Sequence, residues 1–411
     1  MASLRREKSA LSILKTKKLN VLQLLLATTY FVSYVTRLNY SAMMVEIISV
    51  TGFTKADAAL PLTGMAVAYG LGQLLSGYAG DKIQPKWIIG VGLLITACMN
   101  ACIPICQSPW QMVIVWSMNG LAQAFMWPPI IKLMSELFDY EEYNKGCIAV
   151  NYGGYLGQIA LYLMVPVCLR LSGWKTVFLV AALSAILMML VWFWKCPLIS
   201  MAKQQKTTHT PEKPMFPWSL MLISIFCAII LMGALRDGVS AWMPTLISDN
   251  FGLSNSASIL TGVILPVFAI LSICCVSYIR QRWVKNELKF SAILFAVCAL
   301  CAALNGFIEE KNVAITVVLL GLLVGCMNGV NLLLISFIPR YYVKFGCVSL
   351  VSGALNSCTY IGAAFSTYAI ALVSENHGWT PTLFLWVAIA LCGGLLCVFQ
   401  VKRWSQFIGL R

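Results

Sequence analysis

Long apolar runs recur along the chain, each closed by a short polar or basic segment. Twelve can be delimited, at residues 19–50, 56–79, 87–106, 110–137, 146–171, 176–195, 218–248, 257–279, 290–307, 313–338, 346–374 and 380–401. A helix of about 20 apolar residues, rising about 1.5 Å per residue, crosses a hydrocarbon core about 30 Å thick. The pattern therefore predicts an all-α integral membrane protein with twelve transmembrane helices.

Composition agrees with lipid as the solvent. The 411 residues are 60% hydrophobic and 11% charged, where a soluble domain has roughly 45–50% and about 25%. The net charge of +14 would otherwise suggest a nucleic-acid binder. Its placement argues against that partner, because 22 of the 29 Lys and Arg residues fall in alternate connections that an even span count places on the cytoplasmic side. The outer connections hold only Lys55, Arg170, Lys175 and Lys311. This bias predicts a multi-pass protein of the plasma (cytoplasmic) membrane with both termini inside. No small-residue cleavage site follows the basic N-terminus, so the first run reads as an uncleaved anchor.

The longest polar stretch, residues 196–217, separates six runs from six. It is expected to be a cytoplasmic linker between six-helix bundles at 19–195 and 218–403, with a basic cytoplasmic N-terminus at 1–18 and a cytoplasmic C-terminus at 404–411. The halves echo one another: Arg37 with Arg236, Gly146-Cys147 with Gly346-Cys347, Gly173-Trp174 with Gly378-Trp379. Residues 77–86, Gly-Tyr-Ala-Gly-Asp-Lys-Ile-Gln-Pro-Lys, lie between the second and third runs. They resemble the G-x-x-x-D-R/K-x-x-x-R/K signature of the major facilitator superfamily. That resemblance implies a major facilitator fold, two pseudo-symmetric six-helix bundles around a central cavity, and a gating role for Asp81, Lys82 and Lys86.

Three basic residues stand inside apolar runs: Arg37, Lys132 and Arg236. An ionised side chain near the bilayer centre costs at least about 2.5–3.5 kcal/mol on insertion scales, so it marks a function by default. Apolar sequence continues past both arginines, which places them near the middle of long helices rather than at snorkelling ends. Two guanidiniums facing one cavity would make a fork-shaped receptor for phosphate or carboxylate. The expected substrate is a small anion.

Tyr30 and Tyr34 share the helical face of Arg37. The fifth run carries a polar stripe of Asn151, Tyr155, Gln158 and Tyr162, the second offers Tyr69 and Gln73, and the eleventh offers Asn356, Tyr360 and Thr367. Cavity lining and ordinary interhelical hydrogen bonding are both open to each of these residues.

The motifs Tyr30-x3-Tyr34-x2-Arg37-x-Asn39, Tyr69-Gly70, Trp127-Pro128-Pro129 and Arg236-x-Gly238-x3-Trp242-x-Pro244-Thr245 resemble the organophosphate:phosphate antiporter family, which includes glycerol-3-phosphate and hexose-phosphate transporters. The resemblance implies that Arg37 and Arg236 clamp a phosphoryl group, with Tyr30, Tyr34, Tyr69 and Tyr360 as cavity-lining partners and Lys132 in a gating or structural contact. The chain departs from glycerol-3-phosphate carriers in having Gln73 for a lysine, Gly154 for a histidine, and Asp237 for a neutral residue. Asp237 can pair with Arg236, pair across the cavity, or face the opposite side, with coupling as one role.

Sixteen cysteines at no ligand spacing read as apolar fillers, and the two histidines, His209 and His377, lie in loops. No metal site, cofactor or catalytic residue is expected, and no Walker loop is present for ATP-driven transport. The expectation is a monomeric secondary transporter, not an enzyme, that exchanges a sugar phosphate or glycerol phosphate for inorganic phosphate by alternating access. A transporter-like receptor for sugar phosphate and a carrier or exporter of another organic anion are the alternatives.

Overall fold

Backbone N–H and C=O groups surrounded by lipid must be satisfied by the protein itself, and a helix does so within one segment. The structure, a computed structural model, describes residues 2–53, 55–204, 218–252, 264–307 and 312–409, and among these every regular element is helical. In chain order they are α1 (Ala2–Thr51), α2 (Lys55–Lys82), α3 (Pro85–Cys102), α4 (Pro109–Ala124), α5 (Trp127–Leu137), α6 (Tyr140–Ser172), α7 (Trp174–Gln204), α8 (Leu220–Phe251), α9 (Ile264–Arg282), α10 (Glu287–Phe307), α11 (Val313–Asn331), α12 (Val348–His377) and α13 (Trp379–Phe407). Ten helical stretches among the described residues are long and apolar enough to cross a membrane.

Several boundaries differ from the sequence pattern. The fourth apolar run is two helices, α4 and α5, because Pro128 and Pro129 lack the N–H groups that a continuous helix would need. In the tenth run α11 passes into a π-helix at Leu332–Phe337 and then a 3₁₀ segment at Ile338–Phe345, with Pro339 at the same kind of break. The expected linker begins inside α7, which continues to Gln204, while residues 205–217 lie outside those described. Likewise α1 starts at Ala2 instead of near residue 19, and the start of the eighth run falls at 253–263, again outside the described residues.

The chain forms two compact units, one of residues 1–212 with 348–350, the other of 213–347 with 351–411. In the first, α1 packs on α6 and α7, α2 on α4 and α5, and α3 on α4 and α7. The α1–α6 approach depends on two glycines. A Cβ at Gly153 or Gly157 would collide with the carbonyl oxygens of Ala27 and Phe31 on α1. The core here gathers Tyr40, Met43, Ile47, Trp116, Leu161 and Phe178, all 0–1% exposed. Capping boxes start α4 (Ser108 with Gln111) and α6 (Asp139 with Glu142), satisfying end N–H groups that would otherwise lack partners.

In the second unit, α8 packs on α11 and α13, α10 on α11 and α13, and α9 on α11. Gly362 of α12 lies against the Ile230 carbonyl of α8, repeating the glycine-mediated approach of the first unit. The helix corners repeat as well. Gly173 and Gly378 both have φ +80°, a conformation that L side chains rarely adopt, and each is followed by the tryptophan that opens the next helix.

Candidate functional site

In the first unit a buried polar network fixes the rotation of α1 about its axis. Asn100 of α3 and Asn119 of α4 both donate to the Thr36 carbonyl (3.2 and 3.1 Å), and Gln123 donates to the Thr36 hydroxyl (2.8 Å). Asn39 in turn donates to Asn100 (2.7 Å), and the Ser33 hydroxyl to Gln123. With Ser33, Thr36 and Asn39 committed to α3 and α4, the helical period turns Tyr30, Tyr34 and Arg37 to an adjacent face.

There Arg37, only 9% exposed, lies among aromatic rings. Its guanidinium carbon is 4.3 Å from the ring centroid of Tyr34 and 5.1 Å from that of Tyr69 on α2, within cation–π range. Tyr30 touches Tyr34 and Trp127, each at 5.1 Å between centroids, and Tyr34 meets Tyr155 of α6 edge-on at 6.3 Å. Four helices thus contribute to one aromatic surround for a single cation. Gly154 is part of it by having no side chain, since a Cβ there would stand 2.8 Å from a Tyr34 ring carbon.

Trp127 was visible in sequence only as part of a proline motif, and the structure brings it into this group. Gln73 is placed differently. It is fully buried and its amide donates to the Ala124 carbonyl of α4 (3.2 Å), so it ties α2 to α4 instead of joining the tyrosines. Asn151 donates to the Cys147 carbonyl one turn back on α6 (2.8 Å), and Gln158 is half-buried further along that helix.

In the second unit Arg236 of α8 is held by its own neighbour. Its Nε and Nη2 donate to the two carboxylate oxygens of Asp237 at 2.7 and 2.9 Å, a two-point charge-assisted pair. Its Nη1 donates to Asn331 of α11 at 2.8 Å. Of the three placements open to Asp237 from sequence, the structure adopts pairing with Arg236. Asn331 carries no distinguishing signal in sequence, because Asn328 three residues earlier is an equally plausible amide in the same apolar run and turns instead to the Val324 carbonyl of its own helix. Tyr360 is half-buried on α12.

The remaining charged candidates lie at the far end of α2. Lys132 of α5 donates to the Gly80 carbonyl (2.7 Å) and stands 3.9 Å from Glu136, a contact to the helix end and not to the tyrosine group. Lys82 hydrogen-bonds to the Tyr78 hydroxyl, and the Lys86 ammonium lies 5.2 Å from the Trp87 ring centroid. Asp81 accepts from the backbone amides of Ser349 and Leu350 (3.0 and 2.8 Å), in the 348–350 segment that groups with the first unit.

Among the described residues no cluster of His, Cys, Asp and Glu is arranged to hold a metal ion. The two arginines thus have different surroundings: Arg236 is held by a carboxylate and an amide, and Arg37 lies against phenol rings.

The chain is similar over 92% of its length to the "Probable hexose phosphate transport protein" of Chlamydia trachomatis, at 18% identity and with 89% of that protein covered. It is similar over 90% of its length to the glycerol-3-phosphate transporter of Bacillus subtilis, at 23% identity, again covering 89% of that protein. Among solved structures, the proton:xylose symporter XylE bound to 6-bromo-6-deoxy-D-glucose shares the fold with a TM-score of 0.75 at 11% identity, covering 94% of this chain and 96% of that one. The sequence profile of the Major Facilitator Superfamily matches residues 26–367. The chain therefore belongs to the Major Facilitator Superfamily, and is a multi-pass membrane transporter and not an enzyme.

Proposed function

We propose that the chain is a secondary transporter of an organophosphate, a sugar phosphate or glycerol phosphate, exchanged for inorganic phosphate by alternating access. The observation that carries this reading is the pair of arginines, Arg37 and Arg236, at equivalent places in two repeated halves, each on a membrane helix with hydrogen-bonding or aromatic groups around it. A buried cation of this kind is retained against an insertion cost because it binds something. The names of the relatives supply the substrate class.

In this reading both guanidiniums bind the anion and the phenols of Tyr30, Tyr34, Tyr69, Tyr155 and Tyr360 shape its surroundings. Gln73, Asn151 and Gln158 support them from the same helices. Asp81, Lys82, Lys86 and Lys132 are assigned to gating, since the contacts of Asp81 and Lys132 at the end of α2 are ones that a conformational change can make and break. The protein works as a monomer in the plasma membrane with both termini cytoplasmic. Exchange rather than net flow follows if desolvated cations without an anion resist closure.

A second reading, transport of a non-phosphate organic anion, is favoured by Asp237. Its carboxylate offsets the charge of Arg236 and so lowers the demand for a doubly charged ligand.

The test uses proteoliposomes loaded with radiolabelled phosphate and challenged outside with sugar phosphates, glycerol phosphates and carboxylates. Release driven by an organophosphate, reduced at least about tenfold in Arg37→Lys and Arg236→Lys, is the expected result, since lysine keeps the charge and loses the two-point fork. Release driven by carboxylates alone selects the second reading. Ligand binding by folded protein with no exchange of any compound overturns both and leaves a receptor.

A further inference from the structure

Away from the arginines, the first unit has an apolar groove of about 310 Å³ between α2, α3 and α4. Ala79, Ile83, Trp87, Val91, Met118 and Phe125 are among the side chains that line it. It opens outward, with Trp87 53% and Val91 48% exposed. Along α3 the lining runs from Trp87 to Ile95, about 12 Å at 1.5 Å per residue, against about 15 Å for half of the hydrocarbon core. A hollow of that length and composition in a membrane helix bundle matches a fatty acyl chain lying along the helices.

Two lysines lie beside the groove, although neither is among the side chains that line it. Lys82 and Lys86 flank Ile83 and Trp87 at the end where α2 turns into α3, and the Lys86 ammonium sits 5.2 Å from the Trp87 ring that walls the groove. Tyr78, 56% exposed, and Trp87 form an amphipathic pair at that level, the place that tyrosine and tryptophan favour between acyl chains and water. The lining has no acidic residue.

We propose that this groove binds an anionic phospholipid, with one acyl chain along α3 and the phosphodiester headgroup between Lys82 and Lys86. The site is separate from the arginines and does not depend on the transported substrate. It ties a lipid to the turn that also carries Asp81.

Native mass spectrometry of the detergent-purified full chain, with equimolar long-chain phosphatidylglycerol and phosphatidylcholine, reads the proposal directly. A basic residue at a membrane surface contributes roughly a fivefold preference for anionic lipid, so the wild type is expected to retain phosphatidylglycerol at least about fivefold over phosphatidylcholine. The double variant Lys82→Gln/Lys86→Gln should abolish that preference. Val91→Trp, which fills the groove from an outward-facing position, should lower phosphatidylglycerol retention while leaving the protein folded. Dihexanoyl phosphatidylglycerol, with the same headgroup and chains too short for the groove, should be retained less than the long-chain lipid. A preference unchanged in the double variant, equal retention of short- and long-chain lipid, or no effect of Val91→Trp would each overturn the proposal.

Discussion

The Asp237 carboxylate occupies two of the donors that an incoming anion needs, Nε and Nη2 of Arg236. If Arg236 receives the substrate as proposed, the substrate must displace Asp237 or share the guanidinium with it. Asp237→Asn removes the competing charge, so the half-saturation concentration for a dianionic phosphate ester is expected to fall severalfold, measured as exchange against a concentration series. A rise instead would mean that Asp237 helps to receive the substrate. Gly154 carries a different expectation. Restoring a histidine there, as glycerol-3-phosphate carriers have, drives its Cβ to within 2.8 Å of the Tyr34 ring. Gly154→His should therefore lower exchange at least tenfold by displacing Tyr34 from Arg37, and Tyr34→Ala combined with it should lower exchange little further than Tyr34→Ala alone. Charge in an apolar context made Arg37 and Arg236 legible from sequence, because the cost of burying them is independent of tertiary detail. Asn331 and the true partner of Gln73 were not legible. A buried amide looks the same in sequence whether it meets a substrate, an arginine or a carbonyl.

Between elements, the least expected feature is a fully buried ion pair in the second unit. Arg280 at the end of α9 donates to Glu287 at the start of α10 (2.6 Å), and the same carboxylate accepts from Tyr341 (2.9 Å) and from Trp404 of α13 (2.8 Å). Four segments meet on one side chain that is 0% exposed. Removing it leaves Arg280 as a buried charge without its counterion, and such a loss costs about 3–5 kcal/mol. Glu287→Ala should lower the thermal midpoint in detergent by several degrees, while the double variant Arg280→Met/Glu287→Met should lose less. In sequence Arg280 is only one of the basic residues of an inner connection, and Glu287 carries no signal of its own. Their burial depends on α13 folding over them, a contact more than a hundred residues away. Helix positions themselves were largely legible, since the apolar runs have the length that lipid demands. The α4–α5 break was missed because hydrophobicity continues through it, although the Pro128-Pro129 pair carried the signal.

For the whole molecule, the duplicated corners and arginines make exchange the sharpest expectation. Vesicles loaded with phosphate and diluted into buffer without any counter-anion should lose label far more slowly than vesicles diluted into organophosphate. Equal rates would exclude obligatory exchange. Gly157→Leu and Gly362→Leu test the repeat from the side of packing. Each places a side chain where the backbone of a neighbouring helix lies, in α1 and α8 respectively, and each should reduce folded yield in size-exclusion profiles to a similar extent.

A six-residue π stretch directly follows Asn331. A π turn accommodates one residue more than an α turn, and one residue of slip turns everything on one side of it by about 100°. If the extra residue is squeezed out of Leu332–Phe337, α11 rotates as a ratchet and Asn331 swings away from Arg236, with no helix broken and no backbone bond exposed to lipid. Occupancy of the arginine would thereby be written into helix phase, and a spin label pair reporting on α11 rotation should show two discrete orientations, with and without anion.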